Sequence, residues 1–167
     1  MQEEHNNWQY KVDALWEAIN SYGREDFVDQ MKELVSELSS DNPLGSFELG
    51  SAYDSTGYPK KAVPLYRRAL ELGLSGQKRR RATIQMSSSL RNLGEVKESI
   101  GLLKAEVEAG SDELDDAVSA FLALALADDG REREALSVAL GVLAPHLTRY
   151  QASMLRYSKE LVGSAAD

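Results

Sequence analysis

Glycine recurs along this chain with a long and nearly constant period. Gly23, Gly57, Gly94 and Gly130 are separated by 34, 37 and 36 residues, and each lies between two stretches with helical spacing of apolar residues. A glycine that follows a helix adopts the left-handed conformation at little cost, so each position can join two helices by a short turn. Helical units of this size cannot bury their apolar faces alone and must stack on one another. The period therefore predicts a series of stacked helical hairpins.

The clearest unit spans residues 42–75. Asn42 can accept hydrogen bonds from the first turn of a helix, and Pro43 suits the first helical position because its missing N–H group would be unpaired there. Gly57 ends this helix, and apolar residues at helical spacing predict a second helix from about Pro59 to Leu72. The unit is therefore predicted to be a hairpin of two helices.

The order of small and large residues in this unit resembles the tetratricopeptide repeat. The residues that carry the resemblance are Leu49, Gly50, Ala52, Tyr53, Gly57, Ala62, Tyr66, Ala69 and Leu70. The units around Gly94 and Gly130 keep this alternation, with serine or alanine at the close-contact positions, whereas the unit around Gly23 fits only the helical hairpin. The chain is similar to short bacterial-type members of the family that have about three to four repeats.

The resemblance implies an all-α fold, a right-handed superhelix (α-solenoid) of antiparallel helix hairpins with about nine helices. We expect a single helical-repeat domain over residues 1–167. Its predicted parts are a divergent N-terminal hairpin (8–41), three repeats (42–75, 76–111 and 112–147) and a C-terminal capping helix (148–163) that a capping box at Thr148 opens. The residues after Gly163 are expected to fray.

Composition favours an interaction protein over an enzyme. The only histidines, His5 and His146, have no second ligand at metal-binding spacing, and the sequence has no cysteine and no glycine-rich phosphate loop. We therefore expect no catalytic residue, no metal and no cofactor. The polar start lacks a signal-peptide pattern, and no apolar run approaches the ~20 residues of a membrane helix. A cytoplasmic location is the expected one.

Charge is distributed unevenly along the chain. Residues 1–41 carry three basic and ten acidic side chains, residues 42–104 eleven and five, and residues 105–167 five and twelve. A basic middle between acidic ends can attract an acidic partner, or it can bring two copies of the chain together. A chance distribution over charged helix surfaces is the third reading.

One run of basic residues, Lys78 to Arg81, opens the first helix of the Gly94 unit, where the helix dipole disfavours positive charge. Polar residues continue along this helix at spacings of three and four; we call Arg81, Gln85, Ser88, Arg91 and Asn92 the polar stripe. In the resembling family, the first helices of the hairpins line a concave groove that holds peptides. The resemblance implies that this groove contains the polar stripe, with Phe47, Ser51 and Asp54 on one side and Leu124 on the other.

The leading hypothesis is a non-enzymatic module that binds an acidic peptide or partner protein in the groove. Arg81, Gln85 and Arg91 would hold the ligand, and Phe47 and Leu124 would supply apolar contacts. Pairing of Arg81 and Arg91 with acidic residues of adjacent helices is the alternative for those two side chains. Two other functions stay open: self-assembly through oppositely charged surfaces, and nucleic-acid binding through Lys78 to Arg81, which the acidic net charge of -8 disfavours.

Overall fold

The structure, a computed structural model, describes residues 2–163 and the side chains from residue 7 onward. The side chain of His5 and the residues after Gly163, where fraying is expected, therefore lie outside the described part. Within it the chain forms nine α-helices and no strand. Their bounds are α1 Gln2–Glu17, α2 Arg24–Ser36, α3 Pro43–Ser55, α4 Pro59–Glu71, α5 Gly76–Asn92, α6 Val96–Glu108, α7 Asp115–Asp128, α8 Glu132–Leu143 and α9 Gln151–Gly163. The all-α fold and the number of helices are confirmed.

The helix ends follow from local chemistry. The Asn42 side chain accepts a hydrogen bond from the backbone N–H of Leu44 at 3.0 Å, and Pro43 is the first residue of α3, as predicted. Gly57, Gly94 and Gly130 have φ angles of 86°, 87° and 75°, the left-handed conformation that ends a helix. Gly23 differs, because it has φ -65° and ψ 157° and stands as the N-cap of α2. The first glycine of the period therefore begins a helix, whereas the other three end one.

The last helix begins later than the sequence suggests. The expected capping box places its start after Thr148, whereas α9 begins at Gln151, because Tyr150 has a φ of 68° and cannot belong to a right-handed helix. The Gln151 side chain donates hydrogen bonds to the backbone carbonyls of Pro145 and Leu147 at 2.9 and 2.8 Å. Gln151 therefore ties the start of α9 to the preceding turn.

The helices form two compact units divided between Ala82 and Thr83, inside α5. We call Met1–Ala82 the first unit and Thr83–Asp167 the second unit. In the first unit α1 packs on α2, α2 on α3 and α3 on α4; in the second, α6 packs on α7, α7 on α8 and α8 on α9. Each unit has its own apolar core, formed around Trp8, Val12, Phe27 and Met31 in the first and around Ile84, Leu103, Val118 and Leu126 in the second.

Small residues allow the helices to approach closely, as the repeat motif predicts. A Cβ atom added to Gly50 of α3 would lie 3.2 Å from the Cβ atom of Leu65 and from two ring atoms of Tyr66 on α4. In the second unit, serine takes the corresponding positions: the side chains of Ser87 and Ser99 are fully buried. Close packing has therefore been kept where glycine and alanine have been replaced.

None of the helices in residues 2–163 combines the length and the apolar character needed to cross a bilayer.

Candidate peptide-binding face

The polar stripe follows one face of α5. Arg81, Gln85, Ser88 and Asn92 are separated by four, three and four residues, which returns each to nearly the same side of an α-helix. Arg81 and Asn92 are exposed, and Gln85 and Ser88 are half-buried.

Arg81 is supported by a buried aromatic ring of the first unit. Its guanidinium carbon lies 5.5 Å from the centroid of the Phe47 ring, and the Lys78 ammonium lies 5.6 Å from the same centroid. Phe47 itself is completely buried. The expected role of Phe47 as an apolar contact for a ligand is therefore wrong, because the ring is buried and contacts two cations of α5.

The guanidinium of Arg81 has no carboxylate partner in the part of the chain that the structure describes. Among the described residues its contact with the Phe47 ring is its only specific interaction. A guanidinium that is exposed and held on a ring keeps its N–H groups available for a carboxylate, which it can bind with two parallel hydrogen bonds. Arg81 is therefore the side chain of the stripe that is best prepared to receive an acidic ligand.

The other three residues of the basic run already have partners within the chain. The Lys78 ammonium lies 2.8 Å from Glu48 Oε1 of α3 and donates a hydrogen bond to Gln9 Oε1 of α1 at 2.9 Å. The other oxygen of Glu48 accepts a hydrogen bond from the Trp16 indole N–H at 3.0 Å. Arg80 is 7% exposed and Arg79 is half-buried, and both have partners. Of the four consecutive basic residues, only Arg81 is well exposed, so the run does not form the continuous basic surface that a nucleic acid would need.

The two other predicted residues of α3 belong to an internal network. Ser51 is 2% exposed, and Asp54 is half-buried. The Tyr66 hydroxyl lies 3.5 Å from Ser51 Oγ and 3.4 Å from Asp54 Oδ2. Burial, reinforced by the charge of Asp54, raises the pKa of Tyr66 far above its usual range. Ser51 is thus buried beneath the surface on which the sequence placed it.

Within the second unit, one residue of the stripe contacts α7. The Arg91 guanidinium forms an ion pair with Asp128 Oδ2 at 2.8 Å, so the alternative of intramolecular pairing holds for Arg91 and not for Arg81. Leu124 lies one turn before Asp128 on α7 and is 48% exposed, which leaves it available as an apolar contact.

His146 pairs with Asp116 at 2.9 Å on the surface, and the described residues contain no cluster of His, Asp and Glu that could hold a metal ion.

The glycine period, the close helix approach at Gly50 and the succession of packed hairpins agree with a match to a family model. The Tetratrico peptide repeat model matches residues 43–161, most of the chain. The chain belongs to the tetratricopeptide repeat (TPR) family. This membership confirms the resemblance carried by the residues around Gly57, and the matched range includes the more degenerate units around Gly94 and Gly130.

Solved structures with the same fold are distant in sequence. The TPR-like repeats of a protein described as a kinesin light chain from Podosopora anserina are 17% identical, with a TM-score of 0.71 over 95% of this chain and 88% of that one. MamA from Desulfovibrio magneticus RS-1, from residue 41 to its end, is 18% identical, with a TM-score of 0.63 over 96% and 97%. YrrB, described as a TPR protein with an unusual peptide-binding site, is 18% identical, with a TM-score of 0.56 over 92% and 84%. No curated protein matches the chain.

These likenesses show the fold, which is that of a helical-repeat solenoid. Membership of the TPR family indicates a helical-repeat scaffold for protein interactions. Sequence reasoning identified the polar row on α5 but missed the pairing of Lys78 with Glu48, whose other oxygen accepts from Trp16. Helical spacing shows which residues share a face, but the partner of Lys78 lies thirty residues away on another helix.

Proposed function

We propose that this TPR chain is a non-enzymatic interaction module that binds an acidic peptide, or an acidic segment of a partner protein, along the polar stripe of α5. The observation that carries the proposal is the state of Arg81, which is exposed, supported by Phe47 and without a carboxylate partner among the described residues. Gln85, Ser88 and Asn92 continue the same face and offer hydrogen bonds to a peptide backbone. Asp128 already neutralises Arg91, so Arg81 is the principal charge contact.

The expected contribution of Arg81 follows from its surroundings. A hydrogen bond between charged groups contributes about 1.5–3 kcal/mol, and solvent exposure places Arg81 at the lower end of that range. Loss of the side chain should therefore weaken binding by about tenfold. The description of YrrB as a TPR protein with a peptide-binding site supports peptide recognition by a chain of this fold.

The test compares two charge reversals on a peptide array. Wild-type protein, Arg81→Glu and Lys60→Glu are each applied to immobilised fifteen-residue peptides that differ systematically in acidic content. Lys60 is an exposed residue of α4 in the same unit, so Lys60→Glu changes the net charge equally at a position away from the stripe. Circular dichroism establishes that both variants keep their helix content.

We expect wild-type protein and Lys60→Glu to select the same acidic peptides and Arg81→Glu to lose them. Equal selection by the two variants would show that the bound surface lies elsewhere. A wild-type preference for neutral peptides would show that the acidic ligand is the wrong chemical class. Light scattering across a salt series tests for self-assembly. If the wild-type chains associate and Arg81→Glu abolishes this association, the acidic partner is a second copy of the chain.

A further inference from the structure

A second site, separate from the polar stripe, lies between α2, the end of α3 and the start of α4 in the first unit. It is an open cavity of about 250 Å³. The side chains that shape it are Glu25, Asp29, Lys32, Tyr53, Tyr58 and Lys61. The cavity is smaller than the roughly 300–1,000 Å³ of sites that hold drug-sized molecules, so it suits a single small headgroup.

Two tyrosine rings form a corner in this cavity. The Tyr53 and Tyr58 rings are nearly perpendicular, at 88°, with their centroids 6.2 Å apart. The Lys61 ammonium lies 5.1 Å from the Tyr53 centroid and 5.2 Å from the Tyr58 centroid. Aromatic faces carry partial negative charge and attract cations at these distances. The corner therefore already holds one ammonium group, supplied by the chain itself.

Lys61 is held only weakly in this position. Its contacts with the two rings are its only specific interactions among the described residues, and its side chain is exposed. An exposed cation–π contact stabilises only slightly, and a lysine side chain loses rotamer freedom when it is held in place. Lys61 can therefore turn into the solvent and leave the corner open.

The charges that remain favour a cation. Asp29 and Lys32 form an ion pair at 2.7 Å, so their charges offset each other. This hydrogen bond raises the pKa of Lys32, which keeps its ammonium group charged. Glu25 has no partner among the described residues, so it contributes an uncompensated negative charge once the Lys61 side chain has turned into the solvent. The site does not suit Ca²⁺, which requires about six to eight oxygen ligands, because the described residues that line the cavity include two carboxylates.

We propose that the Tyr53–Tyr58 corner binds a quaternary ammonium headgroup, and that Lys61 is a built-in competitor that must leave first. A quaternary ammonium suits the site better than a primary one. Its methyl groups make it more weakly hydrated than an –NH₃⁺ group, so it loses less on leaving water, and they present a larger surface to the two rings. The ligand is either a free small cation or a trimethylated lysine of a partner protein. Both sources carry the same headgroup.

The experiment is an NMR titration of the whole chain with choline and with 3,3-dimethylbutan-1-ol, the neutral isostere of choline in which carbon replaces nitrogen. The N-methyl protons of choline should shift upfield, because they lie over ring faces. Choline should bind at least about twofold to fivefold more tightly than the neutral isostere, the factor that about 0.5–1 kcal/mol provides. Equal binding of the two compounds would overturn the proposal, since it would reveal an apolar site without cation recognition.

Variants test the competitor separately. Lys61→Ala should raise the affinity for choline by about twofold to fivefold, whereas Lys60→Ala, which removes the same charge from the neighbouring position, should leave it unchanged. An equal gain in both variants would overturn the role of Lys61, because it would reflect net charge alone. Tyr58→Leu should abolish the difference between choline and its isostere.

A short peptide with trimethyllysine distinguishes the two sources. Tighter binding of the peptide than of choline assigns the headgroup to a partner protein, and equal binding assigns a free small cation. A peptide with unmodified lysine at the same position should bind more weakly than the trimethylated one, and a reversed order would contradict the proposed preference.

Discussion

Replacement of Lys78 by methionine should destabilise the first unit by about 2–3 kcal/mol. The side chain of Glu48 is only 6% exposed, and Lys78, which is 28% exposed, is the cation that forms an ion pair with it at 2.8 Å. Removal of one member of a buried ion pair costs about 3–5 kcal/mol, because the other charge stays buried without compensation. The partial exposure of Lys78 and the remaining hydrogen bond from Trp16 to Glu48 reduce this cost to the stated value.

Replacement of the other member of the pair, Glu48, should destabilise the first unit less. Glu48→Gln leaves a Lys78 ammonium that is close enough to the surface to turn toward water, and the glutamine oxygen can still accept a hydrogen bond from Trp16. We expect a loss of about 1–2 kcal/mol. The double variant should be more stable than the sum of the single losses predicts, by about 1 kcal/mol or more, since it contains no unpaired buried charge.

Tryptophan fluorescence during urea unfolding measures these changes in the right part of the molecule. Both tryptophans of the chain, Trp8 and Trp16, lie in α1, so their emission reports on the first unit, while circular dichroism reports on all helices. Lys60→Met is the matched control, because Lys60 is exposed on α4 and its loss should change the free energy of unfolding by less than about 0.5 kcal/mol. Additive single losses, or a loss for Lys78→Met no larger than for Lys60→Met, would refute the argument from burial.

Three further predictions concern packing and ionisation. Gly50→Ala should destabilise the protein by about 1–3 kcal/mol, because the new Cβ atom would lie 3.2 Å from Leu65 and Tyr66. Gly101→Ala, in open space on α6, should stabilise it by about 0.5–1 kcal/mol. Urea unfolding measures both changes, and changes of the same sign would contradict the packing argument. Ser99→Ala should stabilise by about 1 kcal/mol in the same assay, since the buried Ser99 hydroxyl has no hydrogen-bond partner in the described part of the chain; a clear loss would reveal a partner. The raised pKa of Tyr66 makes the folded state favour the neutral phenol, so this contribution to stability is complete below pH about 10 and is lost as the pH rises further. Unfolding measured across that range should show a smaller alkaline loss for Tyr66→Phe, and an unchanged loss would assign the effect to other groups.

Much of the fold was predictable because its causes are local. Asn42 and Pro43 begin α3 through interactions within the first helical turn, and Gly57 ends a helix through its own backbone conformation. Gly23 lies between two helices, as its spacing predicts, and caps α2. The start of α9 was harder to predict, because it depends on contacts of Gln151 with the turn before it.

The candidate site was predictable only in outline. Periodicity placed Arg81, Gln85, Ser88 and Asn92 on one face of α5, where the first and last are exposed and the other two are half-buried. Periodicity could not show that Phe47 is fully buried beneath Arg81 or that Asp128 pairs with Arg91. Each of these outcomes depends on a residue from another helix.

The sequence by itself therefore determined the repeated hairpin, because caps, turns and helical spacing act over a few residues. Only the tertiary structure decided which charges remain available. Lys78 and Arg81 lie on the same helix turn and have the same charge, yet one is bound to Glu48 and the other is exposed above Phe47. The physical reason is that an ion pair depends on distances between side chains of different helices, and these distances are set by packing rather than by sequence spacing.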